Sequence, residues 1–135
     1  MSSGTGTAND PWLLATPSGG SNYSLWIDES TDPALLVCLV GKTRLTYLAR
    51  ALDDLHAWLV EQGDWVVLGA SDEQKPAVEG TVEAWGRSSA NPVGGWYGQK
   101  NGMRGRFGVY IPPALVHLGR AEITIENRKA RIRAI

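Results

Sequence analysis

The last fifteen residues, AEITIENRKARIRAI (121–135), constrain the fold more than any other stretch of the chain. If residues 127–128 form a turn, the apolar side chains Ile123 and Ile132 face each other across two antiparallel strands. The other facing pairs are then Ile125 with Ala130, Glu122 with Arg133, and Glu126 with Lys129. Apolar and ionic pairs fall on opposite faces, and a shift of one residue would destroy this separation. The pattern therefore predicts a terminal β-hairpin.

A second hairpin is predicted over residues 35–47. The run LLVCLV (35–40) is apolar throughout, TRLTY (43–47) alternates, and the two residues between them begin with glycine, as a two-residue turn favours. This register pairs Val40 with Thr43, Cys38 with Leu45, and Leu36 with Tyr47. A further alternating strand is expected over residues 23–28.

Helical spacing begins at residue 48, where leucines recur at intervals of four, three and four up to Leu59. We expect this helix to end at Gly63. Other expected elements are a strand over 65–68 and a helix within 75–88 that places Val78, Val82 and Trp85 on one face. In that helix Glu83 precedes Arg87 by four residues, a favourable spacing for an ion pair. A strand is expected over 107–111, followed by a helix that Pro112-Pro113 opens and Gly119 closes.

These elements predict an α+β fold with a mainly antiparallel sheet built from hairpins and two to three short helices. A chain of 135 residues is long enough for one domain. We expect a flexible N-terminal tail over residues 1–11 and a single domain over 12–135. Trp12 is expected outside regular structure, as one of six tryptophans available to a pocket or a subunit interface, and a homodimer is therefore a candidate assembly.

Composition excludes several classes of function. The single cysteine, Cys38, lies in an apolar run and predicts a buried, inert thiol. No apolar run is long enough to cross a bilayer and no secretory signal is present, so we expect a cytoplasmic protein without a membrane partner. GKT (41–43) lacks the upstream glycine of a phosphate-binding loop, and the two histidines stand sixty-one residues apart. We expect neither a cofactor nor a metal site.

Charge is distributed unevenly along the chain. Residues 1–97 carry a net charge of −7 and residues 98–135 a net charge of +6. Such asymmetry indicates an anionic partner for the C-terminal third or, alternatively, pairing of the basic end with the acidic one. Arg120 is among the cations for which the sequence offers no nearby acidic partner.

The segment NPVGGWYGQKNGMRGRFG (91–108) combines six glycines with aromatic and basic side chains. Planar rings and cations on a pliable backbone suit a nucleotide or a single strand of nucleic acid. We therefore predict a non-enzymatic binding protein that contacts an anionic or planar ligand through residues 94–108. The candidate ligand-binding residues are Trp96, Tyr97, Lys100, Arg104 and Arg106. The alternative is structural: the rings fill the core and the glycines make turns.

A small enzyme is the second hypothesis. Asp53 precedes His56 by three residues on the predicted helix and could orient it as a general base. The catalytic pocket would then combine His56 and Asp53 with Tyr97 and Arg104.

The stretch DDLHAWLVEQGDWVVLGASDEQKPAVEGTVEAWGRSSANPVGGWYG (53–98) resembles a family of small, uncharacterised actinobacterial proteins. The resemblance extends over most of the chain and implies a stand-alone single-domain protein. It implies no activity, cofactor or site residue.

Overall fold

The computed structural model describes residues 6–7, 9–17, 22–69, 77–98, 106–126 and 129–135. Four antiparallel strands form the first sheet in the order β1-β2-β3-β4. They are β1 (Trp12–Ala15), β2 (Asn22–Asp28), β3 (Leu35–Val40) and β4 (Thr43–Leu48). The three pairs predicted for the β3–β4 hairpin, Val40 with Thr43, Cys38 with Leu45 and Leu36 with Tyr47, are confirmed.

The second sheet has the order β5-β7-β6, so the last strand of the chain lies at its centre. Its strands are β5 (Val66–Val67), β6 (Ala121–Glu126) and β7 (Lys129–Ala134). All four facing pairs predicted for the terminal hairpin are confirmed, and Glu122 and Arg133 form an ion pair at 3.2 Å. Glu126 lies opposite Lys129, but its ion pair is with Arg131, at 3.6 Å. The predicted turn residues, 127–128, lie outside the described residues.

Helix α1 (Ala51–Gln62) ends at Gly63, whose left-handed φ of 66° confirms the predicted stop. The helix begins three residues later than predicted because Leu48 belongs to strand β4, where it pairs with Leu35. The buried residues of α1 are Ala51, Leu52, Leu55 and Leu59. Leucine spacing therefore predicted the buried face correctly but not the first turn.

Helix α2 (Val82–Trp85) is shorter than the predicted helix. It begins at Thr81, whose hydroxyl accepts a hydrogen bond from the Ala84 N–H at 3.2 Å. Val78 precedes this cap and is 71% exposed, so the predicted face shared by Val78, Val82 and Trp85 is wrong.

Residues predicted as a strand over 107–111 instead form helix α3 (Phe107–Tyr110). Phe107 and Ile111 are both buried, at the i, i+4 spacing of a helical face, and Tyr110 is buried as well. Helix α4 (Pro112–His117) follows directly, with proline in its first turn as predicted. The apparent alternation was misleading because a four-residue helix is too short to display its own period.

The core lies where the first sheet meets the helices and β7. Its fully buried side chains include Leu36 and Tyr47 from the first sheet, Leu55 from α1, Leu115 from α4, and Ile132 from β7. The Tyr23 hydroxyl donates a hydrogen bond to the Tyr110 carbonyl at 2.7 Å, joining β2 to α3. An α+β fold with two antiparallel sheets is thereby confirmed.

Two predictions about single residues have different outcomes. Cys38 is buried, as predicted, and desolvation raises the pKa of its thiol. Trp12 is not outside regular structure: it lies in β1, is only 7% exposed and packs against the His117 ring with centroids 5.6 Å apart.

The first described residues already contact the sheet. The Gly6 carbonyl accepts a hydrogen bond from the Ile27 N–H at 2.9 Å. The boundary between a tail ending at residue 11 and a domain from residue 12 remains a prediction. Among the described residues, no helix is both long and apolar enough to span a bilayer.

Candidate functional site

Asn91 shapes the loop that leads into the candidate binding segment. Its side-chain amide donates hydrogen bonds to the carbonyls of Trp85 and Gly95, at 2.8 and 2.7 Å. Its side-chain oxygen accepts from the N–H groups of Val93 and Gly95, at 3.1 and 3.2 Å. One buried side chain thus satisfies four backbone groups and fixes the direction in which the chain enters Trp96 and Tyr97.

Tyr97 points into the protein. It is fully buried, and its hydroxyl donates a hydrogen bond to Asp54 Oδ2 at 2.8 Å. The same oxygen accepts from Arg50 Nε at 2.7 Å. Burial and the adjacent Asp54 carboxylate raise the pKa of the Tyr97 hydroxyl, since both oppose a phenolate. Tyr97 therefore joins α1 to the segment as a neutral phenol.

An aromatic cluster, formed by Trp58, Trp85, Tyr97 and Phe107, packs around this residue. Trp85 stacks on Trp58 with ring centroids 5.3 Å apart and on Tyr97 with centroids 5.5 Å apart. Tyr97 and Phe107 contact each other at 5.3 Å. These distances lie in the range of favourable aromatic pairs. The cluster thus brings together α1, α2, α3 and the segment.

Trp96 differs from Tyr97 in remaining half-buried. The Arg87 guanidinium carbon lies 4.6 Å from the centroid of its ring, within cation–π range. Arg87 Nε also pairs with Glu83 Oε2 at 2.9 Å, and only 10% of the Arg87 side chain is exposed. This confirms the contact predicted from the four-residue spacing of Glu83 and Arg87. The indole is therefore held in place by an arginine that is itself fixed.

Glu83 is a buried carboxylate at the centre of this region. Its Oε1 accepts a hydrogen bond from the Gly108 N–H at 2.8 Å, so one side chain serves both Arg87 and the start of α3. A Cβ at position 108 would lie 2.6 Å from the Leu68 carbonyl oxygen, which only glycine avoids. The sequence indicated the contact with Arg87 but not the one with Gly108, because residues 83 and 108 are brought together by tertiary packing.

Arg106 is exposed and has a left-handed backbone, with φ of 62°. It is the one non-glycine residue at positive φ in the described part of the chain. It directly precedes Phe107, and Trp96 directly precedes Tyr97. The rings of Tyr97 and Phe107 touch, so the backbone next to Trp96 and the backbone next to Arg106 are brought into one region. Lys100 and Arg104, the other predicted cations, lie outside the described residues.

His56 and Asp53 lie elsewhere on α1. Asp53 Oδ1 accepts a hydrogen bond from an Arg120 guanidinium N–H at 2.7 Å, so the acidic partner of Arg120 is distant in sequence rather than local. His56 is half-buried, and its buried Nε2 has no hydrogen-bond partner in the part of the chain that the structure describes. Residues 54 and 56 are about 200° apart around a helix. Tyr97 contacts Asp54 and therefore lies on the flank of α1 opposite His56.

Gly108 also lines a cavity of about 650 Å³. Among the described residues, its walls come from five segments: 16–17, 67–69, 78–81, 108–109 and 129–130. No sequence pattern indicated it, since the segments are distant along the chain and each contributes only two to four residues. Val78, in the turn before α2, is 71% exposed.

No metal-binding cluster of three or more His, Cys, Asp or Glu side chains is present among the described residues. In the comparison with protein families, a model described as a family of unknown function, DUF6855, matches residues 4–135. This confirms the resemblance to an uncharacterised family, and the actinobacterial origin stays a prediction. Neither curated proteins nor solved structures give a match.

Proposed function

We propose that this protein, which belongs to the DUF6855 family of unknown function, is a non-enzymatic binding protein. Its segment 94–108 contacts an anionic, planar ligand, either a nucleotide or a single strand of nucleic acid. The observation that carries the proposal is the contact between the rings of Tyr97 and Phe107, because each of these residues directly follows one of the candidate residues, Trp96 and Arg106.

The chemistry of this arrangement suits such a ligand. The buried rings of the aromatic cluster hold the backbone at both ends of the segment, so the adjacent residues start from fixed points. The half-buried Trp96 indole offers a surface on which a base can stack. The exposed Arg106 guanidinium offers planar donors for a phosphate.

The backbone of Arg106 supports a functional role for this residue. A left-handed conformation costs a non-glycine residue about 1–2 kcal/mol, which glycine would avoid. Backbone strain of this kind is concentrated at binding and catalytic sites. Contact between its side chain and a ligand would explain why this strained position holds arginine rather than glycine.

Fluorescence anisotropy with a labelled single-stranded oligonucleotide and a labelled adenine nucleotide tests the proposal. We expect Trp96→Leu to remove most of the binding, because stacking contributes about 1–3 kcal/mol per base. Arg106→Gln should weaken binding and reduce its salt dependence, because one phosphate contact is lost.

Matched controls exist elsewhere on the surface. Trp65 is also half-buried beneath an arginine, with the Arg133 guanidinium carbon 4.5 Å from its ring centroid, so Trp65→Leu controls for Trp96→Leu. Arg44 is exposed and lies 5.6 Å from the Trp26 ring centroid, so Arg44→Gln controls for Arg106→Gln. Equal losses in the test and control variants would show that binding is non-specific. Absence of binding at low salt for both probes would overturn the proposal.

We also propose a cytoplasmic location. The buried Cys38 thiol, in a chain with one cysteine, supports it, because extracellular domains of this size commonly rely on disulfides. Fractionation of cells that produce the tagged protein would test this, and recovery outside the cytoplasm would refute it.

A further inference from the structure

We propose that the cavity beside Gly108 is a second binding site, and that it takes an apolar zwitterion of the size of an amino acid or a dipeptide. Neither Trp96 nor Arg106 is among the described residues that line this cavity. A volume of about 650 Å³ lies within the range of known small-molecule sites.

Most of the cavity lining is apolar. Val67, Leu68 and Val109 contribute hydrophobic side chains to its lining. Two backbone hydrogen-bond donors beside them are already used. The Leu68 N–H donates to the Ala130 carbonyl at 3.0 Å, and the Gly108 N–H donates to Glu83 Oε1 at 2.8 Å. A ligand group seated here gains by burying apolar surface rather than by hydrogen bonding.

The polar side chain of the turn is also satisfied. The Thr81 hydroxyl donates to the Val78 carbonyl at 2.6 Å and accepts from the Ala84 N–H at 3.2 Å. The Val78 side chain, in contrast, is 71% exposed while lining the cavity. An apolar ligand would cover this valine.

Two opposite charges complete the lining. Glu79 and Lys129 are both exposed, and neither forms an ion pair in the described part of the chain. Glu126, the residue opposite Lys129 in the hairpin, is engaged by Arg131. Because Glu79 and Lys129 do not pair with each other, each can meet a group of opposite charge on a ligand. A molecule with an ammonium group, a carboxylate and an apolar side chain uses all of these features.

Amide-detected NMR titration tests the proposal with ligands that differ by one group. L-leucine and L-leucyl-L-leucine carry both charges, 4-methylpentanoate lacks the ammonium group, and 3-methylbutylamine lacks the carboxylate. We expect the zwitterions to shift the amide signals of Gly69, Gly80 and Gly108, which line the cavity, and to leave the Trp96 indole signal unchanged. The separate signals distinguish this site from the surface described above.

Charge variants should produce a crossed pattern. We expect Lys129→Gln to lower the affinity for L-leucine and for 4-methylpentanoate by about two- to fivefold, because an exposed ion pair is lost. The affinity for 3-methylbutylamine should not change. Glu79→Gln should lower the affinity for L-leucine and for 3-methylbutylamine by a similar factor and leave the affinity for 4-methylpentanoate unchanged. The exposed Lys42 and Glu61, which do not line this cavity, supply the matched controls Lys42→Gln and Glu61→Gln.

The apolar contribution has its own control pair. Val78→Ser should lower the affinity for all four ligands by about threefold, because each of them contacts this valine. Val60 is 57% exposed on α1 and does not line the cavity, so Val60→Ser should change nothing. Absence of shifts at the solubility limit of every ligand would overturn the proposal. The proposal would also be overturned if zwitterions and singly charged analogues bound with equal affinity and neither charge variant changed that affinity.

Discussion

The terminal hairpin and the aromatic cluster are stabilised in different ways. In the hairpin, the partners are close in sequence and its ion pairs are largely exposed, as in Glu122 with Arg133. In the cluster, Tyr97 bonds Asp54 across 43 residues and Gly108 bonds Glu83 across 25, and these contacts involve buried groups. A single exposed ion pair contributes little to the free energy of unfolding, whereas a buried charge that loses its partner lowers it strongly. The comparison teaches that single substitutions should matter far more in the cluster.

Glu83→Ala gives the largest expected effect. It leaves the Arg87 guanidinium without this carboxylate and the Gly108 N–H without its acceptor, and loss of one member of a buried pair costs about 3–5 kcal/mol. The free energy of unfolding, measured by urea denaturation, should fall by that amount. Glu83→Gln retains an acceptor oxygen and should cost less. A loss below about 1 kcal/mol for Glu83→Ala would remove the distinction between the two regions.

Gly108→Ala should come next. The added methyl group would lie 2.6 Å from the Leu68 carbonyl oxygen, and such overpacking costs about 1–3 kcal/mol. Thermal unfolding measures the effect. Gly94 has φ of 75° and open space where a Cβ would lie, so Gly94→Ala isolates backbone strain from crowding. If Gly108→Ala is as stable as the native protein, then α3 is not held against Leu68 as described.

Tyr97→Phe should cost about 1 kcal/mol at neutral pH through loss of the hydrogen bond to Asp54. It should also change the response to alkali. Burial raises the pKa of Tyr97, so the unfolded chain loses this proton first. The stabilising contribution is complete below pH of about 10 and is lost as the pH rises above it.

Urea denaturation across the alkaline range measures this dependence. The native protein should lose stability more steeply than the Tyr97→Phe variant, and the remaining slope should include Tyr23, whose pKa burial also raises. Parallel curves for the two proteins would mean that the Tyr97 hydroxyl titrates normally in the fold.

Glu122→Gln should have the smallest effect. Its ion pair with Arg133 leaves about half of each side chain exposed, at 43% and 46%, so we expect a loss of less than about 1 kcal/mol. Added salt should reduce the difference from the native protein further. A loss as large as that of Glu83→Ala would reverse the comparison and place a critical charge in the hairpin.

The candidate site was predicted in part. Glycine, aromatic and basic residues located the segment, and the four-residue spacing identified the contact of Glu83 with Arg87. Sequence could not separate the roles of Trp96 and Tyr97, which are chemically similar neighbours, because burial depends on what packs against each ring. Asn91 was missed although asparagine favours loops, since its four hydrogen bonds depend on the path of the loop that it closes.

Hairpin registers and the end of α1 were determined by the sequence alone. Facing side chains in a hairpin are fixed by the turn and the two-residue period, and Gly63 accepts a backbone conformation that other residues avoid. Tertiary structure alone decided that 107–110 is helical, that Glu83 joins Arg87 to Gly108, and that segments distant in sequence line a cavity. The physical reason is range: local preferences act over a few residues, whereas the burial of a ring or a charge depends on partners that only folding brings together.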